Sequence, residues 1–183
     1  SAVHAAAEAL RARHGDRPDP GAEAEADLPD NPARDDYAMF AYGAQFAEVR
    51  VHEATGEVRV PRLLGVFAAG RIVNARTARS QFLGGMTMGL SMALHEESVV
   101  DERFGHPVNA DFAEYHIAAN ADVEDIQAHW IEEEDPRVNP LGAKGIGEIG
   151  IVGTAAAVAN AAYHATGVRV RSLPVRLDDF LGT

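Results

Sequence analysis

The sequence contains no cysteine. It therefore offers no thiolate for an iron–sulfur cluster and no disulfide, so any redox chemistry it serves must run through another centre. Positive charge is also scarce. The 16 Lys and Arg stand against 28 Asp and Glu, a formal charge of −12. That balance argues against nucleic acid and against an anionic membrane surface, both of which need clustered cations. Long apolar runs are missing too. The most apolar stretch, Phe82 to Leu94, stops at His95-Glu96-Glu97, well short of the roughly 18 residues of a membrane span. The N-terminus has no signal-peptide core, and Ser1 in place of methionine suggests a processed or trimmed start. No Gly-x-Ser-x-Gly is present. The histidines (His4, His14, His52, His95, His106, His116, His129 and His164) show no helical i, i+3 or i, i+4 pair, which argues against a helix-borne zinc site.

What is present suits one domain with a tail: 183 residues, 46% hydrophobic and 24% charged. Ala2 to Arg13 reads as an alanine-rich helix. From His14 to Asp36 the composition turns to Gly, Pro, Asp, Glu and Ala, with prolines 18, 20, 29 and 32. This reads as a flexible tether, so residues 1–36 are expected to be a helix plus linker and residues 37–183 the folded domain. Phe40 to Val51 and Glu57 to Phe67 read as strands of a hairpin around His52 to Gly56. Asn74 is placed to cap a helix from Ala75 to Glu97. Gly84, Gly85 and Gly89 lie inside that helix, each costing about 1 kcal/mol against alanine. Their presence predicts a backbone or a ligand lying against that face. Ile126 to Ile131 reads as a short buried strand, Glu132 to Asp135 as a solvated turn, and Thr154 to Thr166 as a second long helix. The predicted class is α+β, an antiparallel hairpin sheet packed by two long helices.

The chemistry concentrates in Asn139 to Gly153, where five residues are glycine and Lys144 and Glu148 are the only charges. Gly145, Gly147 and Gly150 form a literal GxGxxG. A dinucleotide fold needs a strand immediately before this motif and an acidic strand end about 20 residues after it. Pro140 to Lys144 is no strand, and Arg169 to Arg171 is basic. The loop has a second reading that needs no strand. The amides of Lys144, Gly145, Ile146 and Gly147, running into a helix, form a site for an anion. Glu148 at its rim is then either a helix cap or a working carboxylate, and spacing alone leaves both open.

Asn139-Pro-Leu-Gly-Ala-Lys-Gly-Ile-Gly-Glu148, then Tyr163-His-Ala-Thr-Gly and Arg171-Ser-Leu-Pro174, resembles the C-terminal end of the molybdenum-binding subunit of xanthine dehydrogenases and aldehyde oxidoreductases. Gly70-Arg-Ile-Val-Asn74 and Arg79-Ser-Gln-Phe-Leu-Gly-Gly85 resemble a second landmark of the same subunit, in matching order, and the resemblance runs from about Tyr37 to Leu181. It implies that the chain is the C-terminal portion of a molybdopterin-binding domain. The family's glutamate, which takes a proton from a molybdenum-bound hydroxyl, falls on Glu148. Lys144, Gly145, Ile146 and Gly147 fall on the segment lining the molybdopterin. Gln81 falls on a glutamine that bonds the cofactor, and Arg71 ends a strand near it.

The resemblance further implies a molybdenum–molybdopterin cofactor in its cytosine dinucleotide form, with iron–sulfur clusters and FAD on partner chains. The expected partners are the remaining molybdenum-binding portion or subunit, an iron–sulfur subunit and an FAD subunit. The expected reaction is oxidation of an aldehyde, or hydroxylation of an N-heterocycle such as xanthine, with water as the oxygen source. Ala68-Ala69, Ala75 and Ile149-Gly150 depart from the xanthine branch and favour an aldehyde. The chain is several times shorter than that subunit, so it is expected to be a C-terminal fragment or half of a split subunit, inactive alone. A non-catalytic scaffold domain and a dinucleotide module on Gly145, Gly147 and Gly150 are the alternatives.

Overall fold

The computed structural model describes residues 1–181. Its frame is a hairpin of β1 (Tyr42–Val51) and β2 (Val58–Ala68), paired antiparallel. The turn closes where Thr55 and Gly56 donate their amides to the His52 carbonyl, with Gly56 at φ 72°. A glycine suits that position because a Cβ disfavours positive φ. On β1 the residues Gln45, Ala47, Val49 and Val51 turn inward, while Tyr42, Phe46, Glu48 and Arg50 face outward. Alternation of this kind follows from the two-residue period of a strand.

One expectation about the sheet is corrected. β5 (Ile126–Trp130) lies along the other edge of β2 and runs parallel to it, pairing Leu63 with Ile126 and Phe67 with Trp130. The sheet is therefore mixed, ordered β1-β2-β5. Parallel neighbours need a long crossover, and residues 69–125 provide it. The crossover carries α2 (Ala75–Leu94) and a small ribbon of β3 (Val100–Asp101) and β4 (His106–Pro107).

α2 begins as its cap residue dictates: the Asn74 side chain accepts from the amides of Arg76 and Thr77. It stops at Leu94 rather than Glu97, with the His95 amide closing onto the Ser91 carbonyl. Glu96 and Glu97 thus stay outside the last turn, where carboxylates would oppose the helix dipole. The helix packs on β2 and β5, and α4 (Thr154–Thr166) packs on β1.

Between these layers lies the core of Leu63, Phe67, Phe82, Met86, Leu90 and Val158. The rings of Phe67 and Phe82 stack at 4.5 Å, and Trp130 stands 6.2 Å from Phe82. Fully burying each of the two phenylalanine rings stabilises the fold by about 1.5–3 kcal/mol. The chain after α4 folds back beneath the hairpin, where Val175 and Phe180 pack with Ala162, and the Val175 amide donates to the Ala93 carbonyl at 2.7 Å.

At the other end, α1 (Ala2–His14) has no buried residue. The segment after it is tied down near Asn31, whose Nδ2 donates to the carbonyls of Arg137 (2.8 Å) and Val138 (3.1 Å). The Arg137 guanidinium also lies 4.4 Å over the Tyr37 ring.

Candidate functional site

The loop from Asn139 to Glu148 divides into an anchored part and a presented part. Asn139 organises the anchored part. Its Oδ1 accepts from the Leu141 amide at 3.0 Å, and its Nδ2 donates to the Ala143 carbonyl at 2.6 Å. The loop then pairs with the end of β2. The Arg71 amide donates to the Gly142 carbonyl (2.8 Å), and the Lys144 amide donates to the Ala69 carbonyl (3.1 Å). Residues 139–144 are thus a turn stitched to a strand end, and the strand that a dinucleotide motif requires does not precede Gly145.

The Lys144 side chain is engaged on the anchored part of the loop. Its ammonium bonds Glu133 at 2.8 Å and Asp135 at 3.1 Å, and its side chain is only 6% exposed. With its amide on Ala69 as well, Lys144 holds the loop in place. Burial works against the lysine charge, but the hydrogen bonds to Glu133 and Asp135 outweigh it and raise the pKa. Both carboxylates are held below their ordinary range, chiefly by the Lys144 hydrogen bond, and Glu133 also accepts from the Gly70 amide at 2.8 Å. The Glu132 to Asp135 run is therefore no plain solvated turn. Every second residue, Glu133 and Asp135, turns to the lysine, while Glu132 and Glu134 stay exposed. The signal was available in the sequence: the run continues directly from β5, and an extended chain sends alternate residues to one side.

Beyond Lys144 the loop is presented. Gly145, Gly147 and Glu148 are exposed and Ile146 is half-buried. Among the described residues, no acceptor engages the amides of Gly145, Ile146, Gly147 or Glu148. A Cβ on Gly145 or Gly147 would meet nothing within 4 Å, so the space beside this backbone is open. The helix that follows is broken. α3 (Ile149–Val152) is one turn, and Gly153 separates it from α4. Glu148 stands at the N-cap of α3, yet its side chain makes no capping hydrogen bond. Among the described residues no hydrogen bond or ion pair engages the carboxylate, so the interaction that a cap would require is missing.

α3 is seated from two sides. On one side lies the glycine face of α2. A Cβ on Gly85 would stand 2.9 Å from the Gly150 Cα, and one on Gly89 would stand 2.5 Å from the Thr154 Cβ. Gly85 thus answers to a backbone and Gly89 mainly to the Thr154 side chain, whereas Gly84 borders open space. On the other side is Gln45, which the sequence reading did not single out. Its Nε2 donates to the carbonyls of Ile149 (3.3 Å) and Gly150 (2.9 Å), and its Oε1 accepts from Thr154 Oγ1 at 2.5 Å. A polar residue heading the inward row Gln45, Ala47, Val49 and Val51 was the available clue.

Of the remaining candidates, Gln81 is exposed one helical turn before Gly85, on the helix that α3 crosses. Arg71 is exposed at the anchored end of the loop. It lines a cleft of about 640 Å³ with Ile72, Glu132 to Pro136 and Pro140 to Gly142, and neither Gln81 nor any of Gly145 to Glu148 lines that cleft. No group of His, Asp and Glu among the described residues is arranged to hold a metal ion.

The arrangement offers a run of free amides, open glycine backbone and an uncapped carboxylate on a braced turn. Such a surface can hold a group rich in hydrogen-bond acceptors and move a proton beside it.

Comparison with known proteins gives a consistent picture. A family model described as a molybdopterin cofactor-binding domain matches residues 1–124. That match takes in the N-terminal helix and linker and ends before the glycine loop. The aldehyde oxidoreductase molybdenum-binding subunit PaoC of Escherichia coli is 50% identical over 146 residues, covering 80% of this chain and 20% of that protein. The putative xanthine dehydrogenase molybdenum-binding subunit XdhA of Escherichia coli is 34% identical over 135 residues, 74% of this chain and 18% of that one. Among solved structures, the aldehyde oxidoreductase from Desulfovibrio desulfuricans aligns with a TM-score of 0.69 at 31% identity, over 77% of this chain and 15% of its own. The chain spans about a fifth of the length of the curated relatives it matches.

Proposed function

The chain belongs to the molybdenum hydroxylase family, and on that premise we propose that it supplies the general base, Glu148, to the molybdenum site of an aldehyde-oxidising enzyme. The observation that carries this reading is the free carboxylate of Glu148, presented beside four amides without an internal acceptor. Those residues suit a molybdopterin group, whose pterin edge and phosphates present acceptors to backbone amides. When bound, that group supplies the two-electron oxidation, with water as the oxygen source. Gly145, Ile146 and Gly147 hold it through their N–H groups, and the absence of a Cβ at positions 145 and 147 lets the backbone come close. The side-chain amide of Gln81 adds a donor and an acceptor from α2. Lys144 serves this site by anchoring the loop, and Arg71 belongs to its anchored margin. Glu148 accepts a proton at its carboxylate, which no capping hydrogen bond engages.

The relatives bearing aldehyde oxidoreductase names favour an aldehyde: PaoC shares 50% identity where XdhA shares 34%. The rest of the molybdenum-binding subunit, an iron–sulfur chain and a flavin chain complete the assembly, and the cofactor takes the cytosine dinucleotide form.

The test is Glu148→Gln in the assembled full-length enzyme. Turnover is expected to fall by roughly 10²–10⁴-fold with molybdenum content unchanged. Retained turnover with molybdenum bound would sink the assignment and leave a scaffold role.

A further inference from the structure

The turn that carries Glu148 cannot hold its own direction. α3 has four residues, and the amides of Ile151 and Val152 donate to the Glu148 carbonyl at 3.0 and 3.4 Å. A single turn is not a stable unit, because nucleation fixes several dihedrals for little hydrogen bonding. Its seat on α2 is a set of close backbone contacts, Gly150 and Ile151 against Phe82, Gly85, Met86 and Gly89, with Ile149 packed on the core. Contacts of that kind set distance, and they supply no directional hydrogen bond from a side chain.

A side-chain tie reaches it from β1. Gln45 reaches across 104 and 105 residues of sequence to the Ile149 and Gly150 carbonyls, which lie where the helix breaks before Gly153. Carbonyls at a helix end lack intrahelical partners and need them from elsewhere. The Thr154 hydroxyl, fully buried, orients the carboxamide by donating to its Oε1 at 2.5 Å and lies 3.0 Å from the same Gly150 carbonyl. Gly153 leaves room for this: a Cβ there would stand 3.2 Å from Gln45 Nε2.

We infer that Gln45 is a positioning residue for Glu148, with Thr154 fixing its amide so that Nε2 faces α3. The inference rests on the reading of Glu148 as the base. A misplacement of about 1 Å in such a group costs on the order of 10²-fold in rate. It should appear in kcat rather than in substrate binding.

The experiment compares Gln45→Met, Gln45→Glu, Thr154→Val and the double variant Gln45→Met/Thr154→Val in the assembled enzyme. Benzaldehyde is the substrate, a dye is the electron acceptor, and rates are expressed per bound molybdenum. Gln45→Met keeps the length and loses both polar atoms; Gln45→Glu keeps the acceptor for Thr154 and loses the donor to α3. Both are expected to lower kcat by roughly 10- to 100-fold with KM little changed and the acid limb of the pH–rate profile displaced. The double variant should lose less than the product of the single losses, since the two residues act through one network. Thr154→Ser, which keeps the hydroxyl, should recover most of what Thr154→Val loses.

If melting temperature and molybdenum content fall while kcat per molybdenum and the pH profile stay at wild-type values, Gln45 is a packing residue and the inference is overturned. Should Gln45→Met fail to assemble, Gln45→Glu and the Thr154 pair decide by the same criteria. Glu148→Gln, run in parallel, separates the two layers. An active Glu148→Gln enzyme removes the base assignment. An inactive one beside a fully active Gln45→Met enzyme removes only the role of Gln45.

Discussion

Gly85 on α2 and Gly150 on α3 meet backbone to backbone: a Cβ on either would stand 2.9 or 3.2 Å from the Cα of the other. The turn bearing Glu148 is therefore pressed against a helix at a point where neither side has space for a methyl group. Gly84, next along the same helix, has nothing within 4 Å of its would-be Cβ.

Alanine at these two neighbours should have opposite effects. Gly84→Ala gains helix propensity and should stabilise by up to about 1 kcal/mol. Gly85→Ala gains the same propensity but forces two backbones apart, for which overpacking typically costs about 1–3 kcal/mol. The net effect should be a lower melting temperature and reduced turnover, because Glu148 moves with α3. Thermal unfolding of both variants checks the sign.

Lys144 with Glu133 and Asp135 should show up as a pH window. The two carboxylates have lowered folded pKa values, so their contribution is complete above the ordinary carboxylate range and is lost as pH falls through the folded values. The lysine pKa is raised, so its contribution is complete below its ordinary value and is lost as pH rises through the folded one. Lys144→Met should therefore lower the melting temperature by roughly 3–6 °C at neutral pH. The gap to wild type should be flat from about pH 5 to 9 and shrink on both sides. Melting curves of the two proteins across pH measure it.

Glu148→Gln should leave stability alone. The side chain makes no capping bond, so a change within about 0.5 kcal/mol is expected. A cap would lose about 0.5–2 kcal/mol on removal. Denaturant unfolding of the variant distinguishes the two without any measurement of activity.

Asn31→Ala should release the segment that precedes β1, since its two bonds to Arg137 and Val138 hold that segment to the loop before Asn139. Limited proteolysis should cut residues 15–36 several-fold faster, in keeping with cleavage through local opening. The global melting temperature should hardly change.

Much of the architecture was legible because it is written in neighbours. Asn74 caps α2 through amides two and three residues away. The His52–Gly56 turn and the alternation along β1 are similarly local. α2 ends three residues short of the acidic end that the pattern suggests, at a place where carboxylates would oppose the helix dipole. The direction of β5 was out of reach, because an apolar strand carries no mark of whether its neighbour runs parallel or antiparallel. The candidate site was half legible. Its glycine loop and Glu148 stood out by composition, and the motif resemblance implied a role for them, whereas Gln45 and the Glu133–Lys144–Asp135 group did not stand out.

The sequence by itself determined a cysteine-free, acidic domain with one glutamate at the rim of a glycine loop, since composition and short-range spacing are properties of the chain alone. Only the tertiary structure decided that this glutamate is no cap, that Lys144 faces inward to two carboxylates, and that Gln45 braces the turn from 104 residues away. Those are pairings between distant residues, and they come into being only when burial brings strand, helix and loop into contact.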